Sequence, residues 1–153
     1  MSDYRIEKVR HHVEVILANG RRLDGDIFVQ AHARFRAGQE EPLDLLNDDS
    51  RFFPLVLASG EAYLIQKSQI AIVGTPLPDR DDAAERGVIG MRIEITLVDG
   101  SSHAGTIFPE VRAGRNRLID VLNDGAECFH SLFTTDQLRL VSRYHIAYVR
   151  PLS

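Results

Sequence analysis

The chain has 153 residues, of which 44% are hydrophobic and 26% charged, as in ordinary globular domains. The net charge is −4, and residues 1–75 and 76–153 each carry nine Lys/Arg and eleven Asp/Glu, so no basic tail or overall positive field attracts nucleic acid. No apolar run approaches the ~20 residues of a membrane-spanning helix. The charged start lacks a signal core, and the single cysteine cannot form an internal disulfide. We therefore expect a cytoplasmic protein without membrane contact.

The first predicted element is a β-hairpin. Residues 13–17 form an apolar strand that leads into Asn19-Gly20, and a second strand returns through residues 27–29. An Asn-Gly pair between β-formers predicts a type I′ turn. Both central residues of that turn need positive φ, which Asn and Gly tolerate best. Gly25 lies inside the returning strand and predicts a bulge or a sharp bend, since an interior glycine weakens a strand.

A glycine-containing loop at residues 30–42 follows the hairpin. It carries Arg34 and Arg36, which could clamp phosphate or carboxylate groups bidentately. The alternative interpretation is a solvated loop whose arginines balance the charge of the many nearby acidic residues. We keep the two arginines as candidate binding residues.

The next segment, LDLLND, predicts one short helical turn. Asp44 is placed to cap it, Asn47 to end it in the left-handed conformation, and Leu46 to fill the core. The alternative is that Asp44, Asn47 and Asp48 bind a hard cation, as could Asp120, Asn123 and Asp124 in a similar segment later in the chain. Capping is favoured, because the segment lacks the longer ligand run and the distal glutamate of a calcium loop.

Three short strands at residues 51–57, 61–66 and 69–73 complete this unit, and the turn before the last strand contains Lys67. Residues 93–149 then repeat the whole order, at an offset of about 80 for the hairpin and about 76 afterwards. Equivalent candidates in the second copy are the structural residues Gly100, Gly105, Asp120, Leu122 and Asn123 and the binding residues Arg112, Arg115, Arg117 and Arg143.

The repeat predicts the domain organisation. We expect a first copy at 1–75, a linker at 76–90 and a second copy at 91–153. Five short strands with a bend glycine in the second are typical of a small closed β-barrel. Because a barrel of about 60 residues is marginal alone, we expect a mainly β fold of two tandem five-stranded barrels packed as a pseudo-two-fold pair.

Both ends of each copy resemble Sm-like proteins. The openings VEVILANGRRLDGDI and IEITLVDGSSHAGTI resemble the family's first motif, and the ends LIQKSQIAIV and LVSRYHIAYV resemble its second. The resemblance implies Sm/SH3-like barrels. In the family an Asp…Asn pair and an Arg-Gly turn help to form an RNA pocket; here the turns carry Lys67 and Arg143 instead. The middle segment RLIDVLN also resembles one in small bacterial β-domains to which no activity is attached.

The sequence contains no nucleophile–base pair, phosphate-binding loop or metal cluster, so we expect no enzyme activity, no cofactor and no metal site. The six histidines lack chelating spacings, and Cys128, which aligns with Phe52, is predicted to pack in a barrel wall. We interpret the chain as an interaction or regulatory module that binds another protein. The alternative is an RNA or nucleotide binder that uses the arginine loops, Lys67 and Arg143. The sequence leaves the oligomeric state open.

Overall fold

The computed structural model describes residues 8–31, 40–78, 89–108, 118–123 and 128–152. The described part is mainly β, as predicted, and none of its helices is long and apolar enough to cross a membrane. The first half contains β1 (Lys8–Leu17), β2 (Arg22–Gln30), α1 (Pro42–Asn47), β3 (Phe52–Leu57), β4 (Ala62–Gln66) and β5 (Ile70–Thr75). The second half contains β6 (Met91–Leu97), β7 (Ser102–Ile107), α2 (Leu118–Asn123), β8 (Phe129–Phe133), β9 (Leu138–Ser142) and β10 (Ile146–Pro151). Single 3-10 turns, Lys67–Gln69 and Arg143–His145, lead into β5 and β10.

All ten strands form one sheet in the order β10-β6-β7-β8-β9-β5-β1-β2-β3-β4. Every neighbouring pair is antiparallel. Each half therefore has the same internal order: fifth strand, first, second, third, fourth. The halves join where β5 pairs with β9, with Ile72 opposite Val141 and Val73 opposite Leu140. A pseudo-two-fold pair would join equivalent strands. This junction instead joins the fifth strand of one half to the fourth strand of the other.

The junction is shared by two apolar clusters. The first cluster contains side chains of β1 to β5 and α1 together with Phe129 and Leu140 of the second half. The second cluster contains side chains of β6 to β9 together with Ala71 and Ile72 of β5. Every residue of β5 is buried, because this strand has a neighbour on both edges and a cluster on both faces. Each half thus completes the core of the other.

The hairpin turns differ from the type I′ prediction. Gly20 and Gly100 have φ of 91° and 92°, but no described residue other than glycine has positive φ. The amide of Gly20 donates to Leu17 O at 2.9 Å, and the amide of Leu17 donates to Arg21 O at 2.9 Å. This is the pattern of a type I turn followed by a left-handed glycine at a bulge. The loop is longer than two residues, so only the glycine needs the left-handed region.

We expect Gly20→Val to lower the free energy of unfolding by about 1–3 kcal/mol, because a β-branched residue is strained at positive φ. A Cβ at Gly20 would meet nothing within 4 Å, so the cost would come from the backbone alone. Urea unfolding would measure it, with Arg21→Val at the next exposed position as the control. Equal midpoints for the two variants would contradict the strain at Gly20.

Gly25 and Gly105 allow a close approach of the neighbouring strand. A Cβ at Gly25 would lie 2.6 Å from Val56 O, and one at Gly105 would lie 2.7 Å from Phe133 O. Strand β1 pairs with β2 without a register shift at Gly25, so of the predicted bulge or sharp bend, the bulge is absent from this pair. The glycine is needed because a side chain at this position would meet the backbone of the neighbouring strand β3.

The short helix α1 is held at its start by Asp44. The carboxylate of Asp44 accepts the amide of Glu41 at 2.8 Å, so Glu41 is the N-cap and Asp44 completes a capping box. Asp120 lies in the first turn of α2. Neither Asn47 nor Asn123 is left-handed, contrary to the prediction. Leu46 is buried in the first cluster, whereas Leu122 is half-buried.

The turn between β8 and β9 is one residue shorter than the turn between β3 and β4. Leu57 N donates to Glu61 O, whereas Thr134 N donates to Gln137 O. Each residue of β8 therefore corresponds to the β3 residue 77 positions earlier. The bond from Lys67 N to Arg51 O has its equivalent in the bond from Arg143 N to Cys128 O, which agrees with this offset. The sequence alignment of Cys128 with Phe52 was wrong by one position: Cys128 corresponds to Arg51, and Phe129 to Phe52.

Candidate functional site

The predicted arginine loops lie outside the described residues. The structure omits 32–39 and 109–117, which contain Arg34, Arg36, Arg112, Arg115 and Arg117. Of the predicted binding residues, Lys67 and Arg143 lie within the described ranges.

Lys67 is a buried cross-link inside the first half. Its Nζ donates to Leu45 O at 2.6 Å, to Asp48 Oδ1 at 2.6 Å and to Ser50 Oγ at 3.0 Å. An ammonium group has three donors, and these three short bonds occupy them, with Asp48 O as a longer contact at 3.4 Å. The side chain is 10% exposed. Lys67 therefore ties α1 to the start of β5 and does not present its charge to a ligand.

The same contacts predict an acid-sensitive fold. Burial opposes ionisation of Asp48, but the hydrogen bonds from Lys67 and Ser50 together outweigh it and hold the pKa of Asp48 below its usual value of 3.8. Because the pKa is lower in the folded chain, ionised Asp48 stabilises the fold above pH 3.8, and this stabilisation is lost as the pH falls through the folded pKa. We expect Asp48→Asn to lower the urea midpoint at neutral pH.

The difference between Asp48→Asn and the wild type should shrink as the pH falls below 3.8. Urea titrations at a series of pH values would measure this, with Asp49→Asn at the exposed neighbouring position as the control. A midpoint difference independent of pH would show that ionised Asp48 does not stabilise the fold.

Arg143 lies in the 3-10 turn before β10, beside an exposed aromatic ring. Its guanidinium carbon is 5.7 Å from the centroid of Tyr144, and Tyr144 is exposed. In the same turn His145 Nε2 donates to Ser68 O at 2.8 Å, which joins the two 3-10 turns of the halves. An arginine beside an exposed ring is an arrangement on which a nucleic-acid base can stack.

Asn47 holds the two halves together. Its Oδ1 accepts the amides of Cys128 at 3.1 Å and Phe129 at 2.9 Å, where β8 begins. The side chain thus orders the first residues of β8 against the end of α1. Cys128, half-buried, packs against the first cluster at this junction.

A histidine, a serine and an aspartate meet on β7 and the turn before it. Arg139 Nη1 lies 2.8 Å from His103 Nδ1, and His103 Nε2 lies 3.0 Å from Ser101 Oγ. Ser101 Oγ in turn donates to Asp99 Oδ1 at 2.6 Å. A guanidinium can only donate, so Nδ1 accepts and the imidazole proton lies on Nε2, directed at the serine.

The direction of these bonds does not fit an activated nucleophile. The imidazole donates to Ser101 and cannot at the same time accept its proton, as a general base must. Burial lowers the pKa of His103, and the charge of Arg139 lowers it further, which favours the neutral ring.

In the described part of the chain, no three or more His, Cys, Asp or Glu residues are grouped to hold a metal ion.

Large apolar side chains are exposed at both outer ends of the sheet. Phe52 and Leu64 lie on β3 and β4 at one end, and Ile119 and Tyr148 lie on α2 and β10 at the other. None of these four residues is among the predicted binding residues. Isolated apolar side chains on a surface are common, but Leu64 and Tyr148 lie on the two strands that end the sheet.

No protein-family model matches this chain, and the searches of curated proteins and of solved structures find no significant match either.

Proposed function

We propose that the chain is a non-enzymatic interaction module, made of two tandem Sm/SH3-like β-barrels, that binds another protein through the outer strands of its sheet. The observation that carries this proposal is the exposure of Leu64 on β4 and Tyr148 on β10. An outer strand offers backbone donors and acceptors to which an extended segment can add, and the neighbouring side chains give affinity and selectivity.

The proposal of a non-enzymatic role is supported by the hydrogen-bond directions around Ser101. This serine, the imidazole of His103 and the carboxylate of Asp99 lie together, but the serine proton points to the aspartate. The group holds the turn between β6 and β7 in place, because the amide of Ser101 also donates to Asp99 Oδ1 at 2.8 Å.

A peptide-binding assay tests the proposal. The full chain, immobilised at low density so that single molecules are presented, would be screened against displayed peptides with alternating apolar residues. We expect retained peptides whose binding weakens at least about tenfold in Leu64→Lys or Tyr148→Lys. Val98→Lys, at an exposed apolar residue in the β6–β7 turn, is the matched control. Failure to retain peptides, or retention that neither edge variant weakens, would overturn the proposal.

RNA or nucleotide binding is the second candidate, and the guanidinium of Arg143 beside the exposed ring of Tyr144 favours it. Binding led by phosphate contacts must weaken steeply as salt rises. Retention of RNA homopolymers on the purified chain at increasing salt, with Tyr144→Ala and Arg143→Ala for comparison, separates the two functions. Salt-sensitive retention that both variants reduce would establish RNA binding; no retention at low salt would exclude it.

A further inference from the structure

The second half carries an arginine where the first half carries a ring packed on its core. Arg139 on β9 corresponds to Tyr63 on β4, since the residues opposite them, Leu132 and Leu55, hold equivalent places on β8 and β3. Tyr63 packs against the first apolar cluster, and Arg139 is half-buried in the corresponding place. We propose that Arg139, together with Gln137, binds a carboxylate anion where β7 and β9 begin. This site lies on inner strands of the sheet, apart from the outer strands of the proposed protein-binding function.

The residue beside Arg139 is exchanged in the same way. His103 on β7 corresponds to Leu23 on β2, because the equivalent residues Ile95 and Val15 face them in the two hairpins. Leu23 is 8% exposed and belongs to the first apolar cluster. Two side chains that pack on the core of the first half are thus replaced by a polar pair, with Arg139 Nη1 donating to His103 Nδ1 at 2.8 Å. Because the fold accepts core side chains at both positions, packing alone does not require the pair.

The guanidinium of Arg139 keeps donors for a ligand. Of its five N–H groups, Nε donates to Gln137 Oε1 at 3.0 Å and Nη1 donates to His103. Both acceptors are neutral, and within the described ranges no carboxylate forms an ion pair with Arg139. A charge that is partly removed from water without a counter-ion is costly. An anion from solution would supply the counter-ion and accept the remaining N–H groups.

The neighbouring strands explain why the chain itself supplies no carboxylate here. Gly74 on β5 lies opposite Arg139, and a Cβ on this glycine would lie 3.0 Å from Gln137 Oε1. Glu14 is the next residue across the sheet, on β1, and its carboxylate accepts a hydrogen bond from Arg22. The space beside the guanidinium is thus left to Gln137. Its Oε1 is fixed by Arg139, so its Nε2 is oriented as a second donor to a bound anion.

The charge and the shape of the site favour a carboxylate. One guanidinium beside a neutral imidazole carries one positive charge, which matches a monoanion, and its planar fork fits the two oxygens of a carboxylate. Asp99 and Asp136 lie in the turns before β7 and β9. Their negative charges disfavour a phosphate dianion or a polyanion at the same place. The ligand is therefore a single carboxylate, either of a small molecule or of a peptide.

Titration of the full chain with acetate tests the inference, with sodium chloride holding the ionic strength constant. NMR would follow the Nε–H signal of Arg139 and the ring signals of His103, and we expect saturable shifts of both. Burial and the charge of Arg139 hold the pKa of His103 below its usual 6.5. This pKa should rise when acetate binds, because the added negative charge favours the protonated ring. Acetate bound elsewhere on the chain would leave the pKa of His103 unchanged.

Substitutions of Arg139 identify the binding group. Arg139→Gln should weaken acetate binding at least about tenfold, because the amide carries no charge. Arg139→Lys should bind with intermediate affinity, since an ammonium group keeps the charge but loses the planar fork. Arg92→Gln, at an exposed arginine of β6, is the matched control and should bind acetate as the wild type does. Thermal unfolding of each variant would check that the fold is retained.

A double variant separates binding from a structural role. His103→Leu with Arg139→Tyr installs the pair of the first half, Leu23 and Tyr63. We expect its urea midpoint to equal or exceed that of the wild type, because less polar side chains would fill the two places, while acetate binding is lost. A midpoint well below that of the wild type would assign the polar pair to the stability of the fold and overturn the inference.

Peptides identify the source of the carboxylate. Acetyl-trialanine with a free terminal carboxylate would be compared with its terminal amide, with acetate and with inorganic phosphate at equal ionic strength. Tighter binding of the free acid than of acetate indicates a peptide carboxylate, and equal or weaker binding indicates a small molecule. Binding of the amide as tightly as the acid, or tighter binding of phosphate than of acetate, would overturn the assignment to a carboxylate.

Two further outcomes overturn the inference. Shifts that rise with acetate without saturating would show that no site is formed, and saturable shifts that persist in Arg139→Gln would place the site elsewhere. Leu64→Lys on the outer strand β4 should bind acetate as the wild type does. Loss of the proposed protein binding in that variant therefore leaves the carboxylate site intact, and the two proposals fail separately.

Discussion

Replacing Leu46 by alanine should lower the free energy of unfolding by about 2–5 kcal/mol, the largest effect we expect from one substitution. Leu46 is 2% exposed, lies on α1 and belongs to the first apolar cluster. Truncation would lose the free energy gained when the leucine side-chain atoms move from water into the core. It would also leave a cavity that the strands of the sheet can fill only in part. The urea midpoint of the purified variant, at a concentration where the chain is monomeric, measures the loss.

Leu122→Ala is the matched control, since Leu122 holds the same place on α2 but is half-buried. We expect a smaller loss there, because part of the leucine surface is already in water. If Leu46→Ala leaves the midpoint unchanged, α1 does not close the core of the first half. Equal losses at the two positions would contradict the different burial of the two helices.

The hairpins of the fold could be predicted from local sequence. An apolar strand, an Asx-Gly pair and a returning strand specify a hairpin with short-range contacts alone, and β1–β2 and β6–β7 are such hairpins. The turn type was predicted wrongly. A type I′ turn needs left-handed conformations at both Asn19 and Gly20, whereas the longer loop needs one only at Gly20. The loop length could not be predicted without knowing which residues form the last hydrogen-bonded pair between the two strands.

The roles of Asn47 and Lys67 could not be read from the sequence, because their partners lie far along the chain. Asn47 binds amides 81 and 82 residues later, and Lys67 binds acceptors 17 to 22 residues earlier. As local residues they resemble a helix end and an exposed turn. Only the packing of α1 against β8 and against the 3-10 turn Lys67–Gln69 brings these groups together.

The sequence does not determine which edge strands of the two halves pair at the junction. Leu64 and Leu140 occupy equivalent strands, yet one is exposed and the other buried. The repeat predicts two similar units, and either a two-fold or a head-to-tail arrangement would bury apolar strands. The difference lies in which outer strands meet, and this is set by the full surfaces of both halves rather than by a motif.

The second large effect should follow from separating the halves. A fragment of residues 1–76 would lose Phe129 and Leu140 from its core and expose the β5 edge that β9 covers in the full chain. A domain of about 60 residues buries only about 60% of its unfolded surface, against nearly 70% for a unit of about 150 residues. We expect this fragment to be unfolded or self-associated.

The full chain, in contrast, should unfold in a single cooperative transition, because β5 contributes Ile70 and Val73 to one cluster and Ala71 and Ile72 to the other. Circular dichroism and calorimetry would compare the two proteins, with sedimentation to detect self-association of the fragment. Adding a separate fragment of residues 77–153 is the matched control, since it restores β9 and should restore cooperative unfolding. A monomeric first fragment as stable as the full chain would show that each half folds alone, and that the shared clusters contribute little to stability.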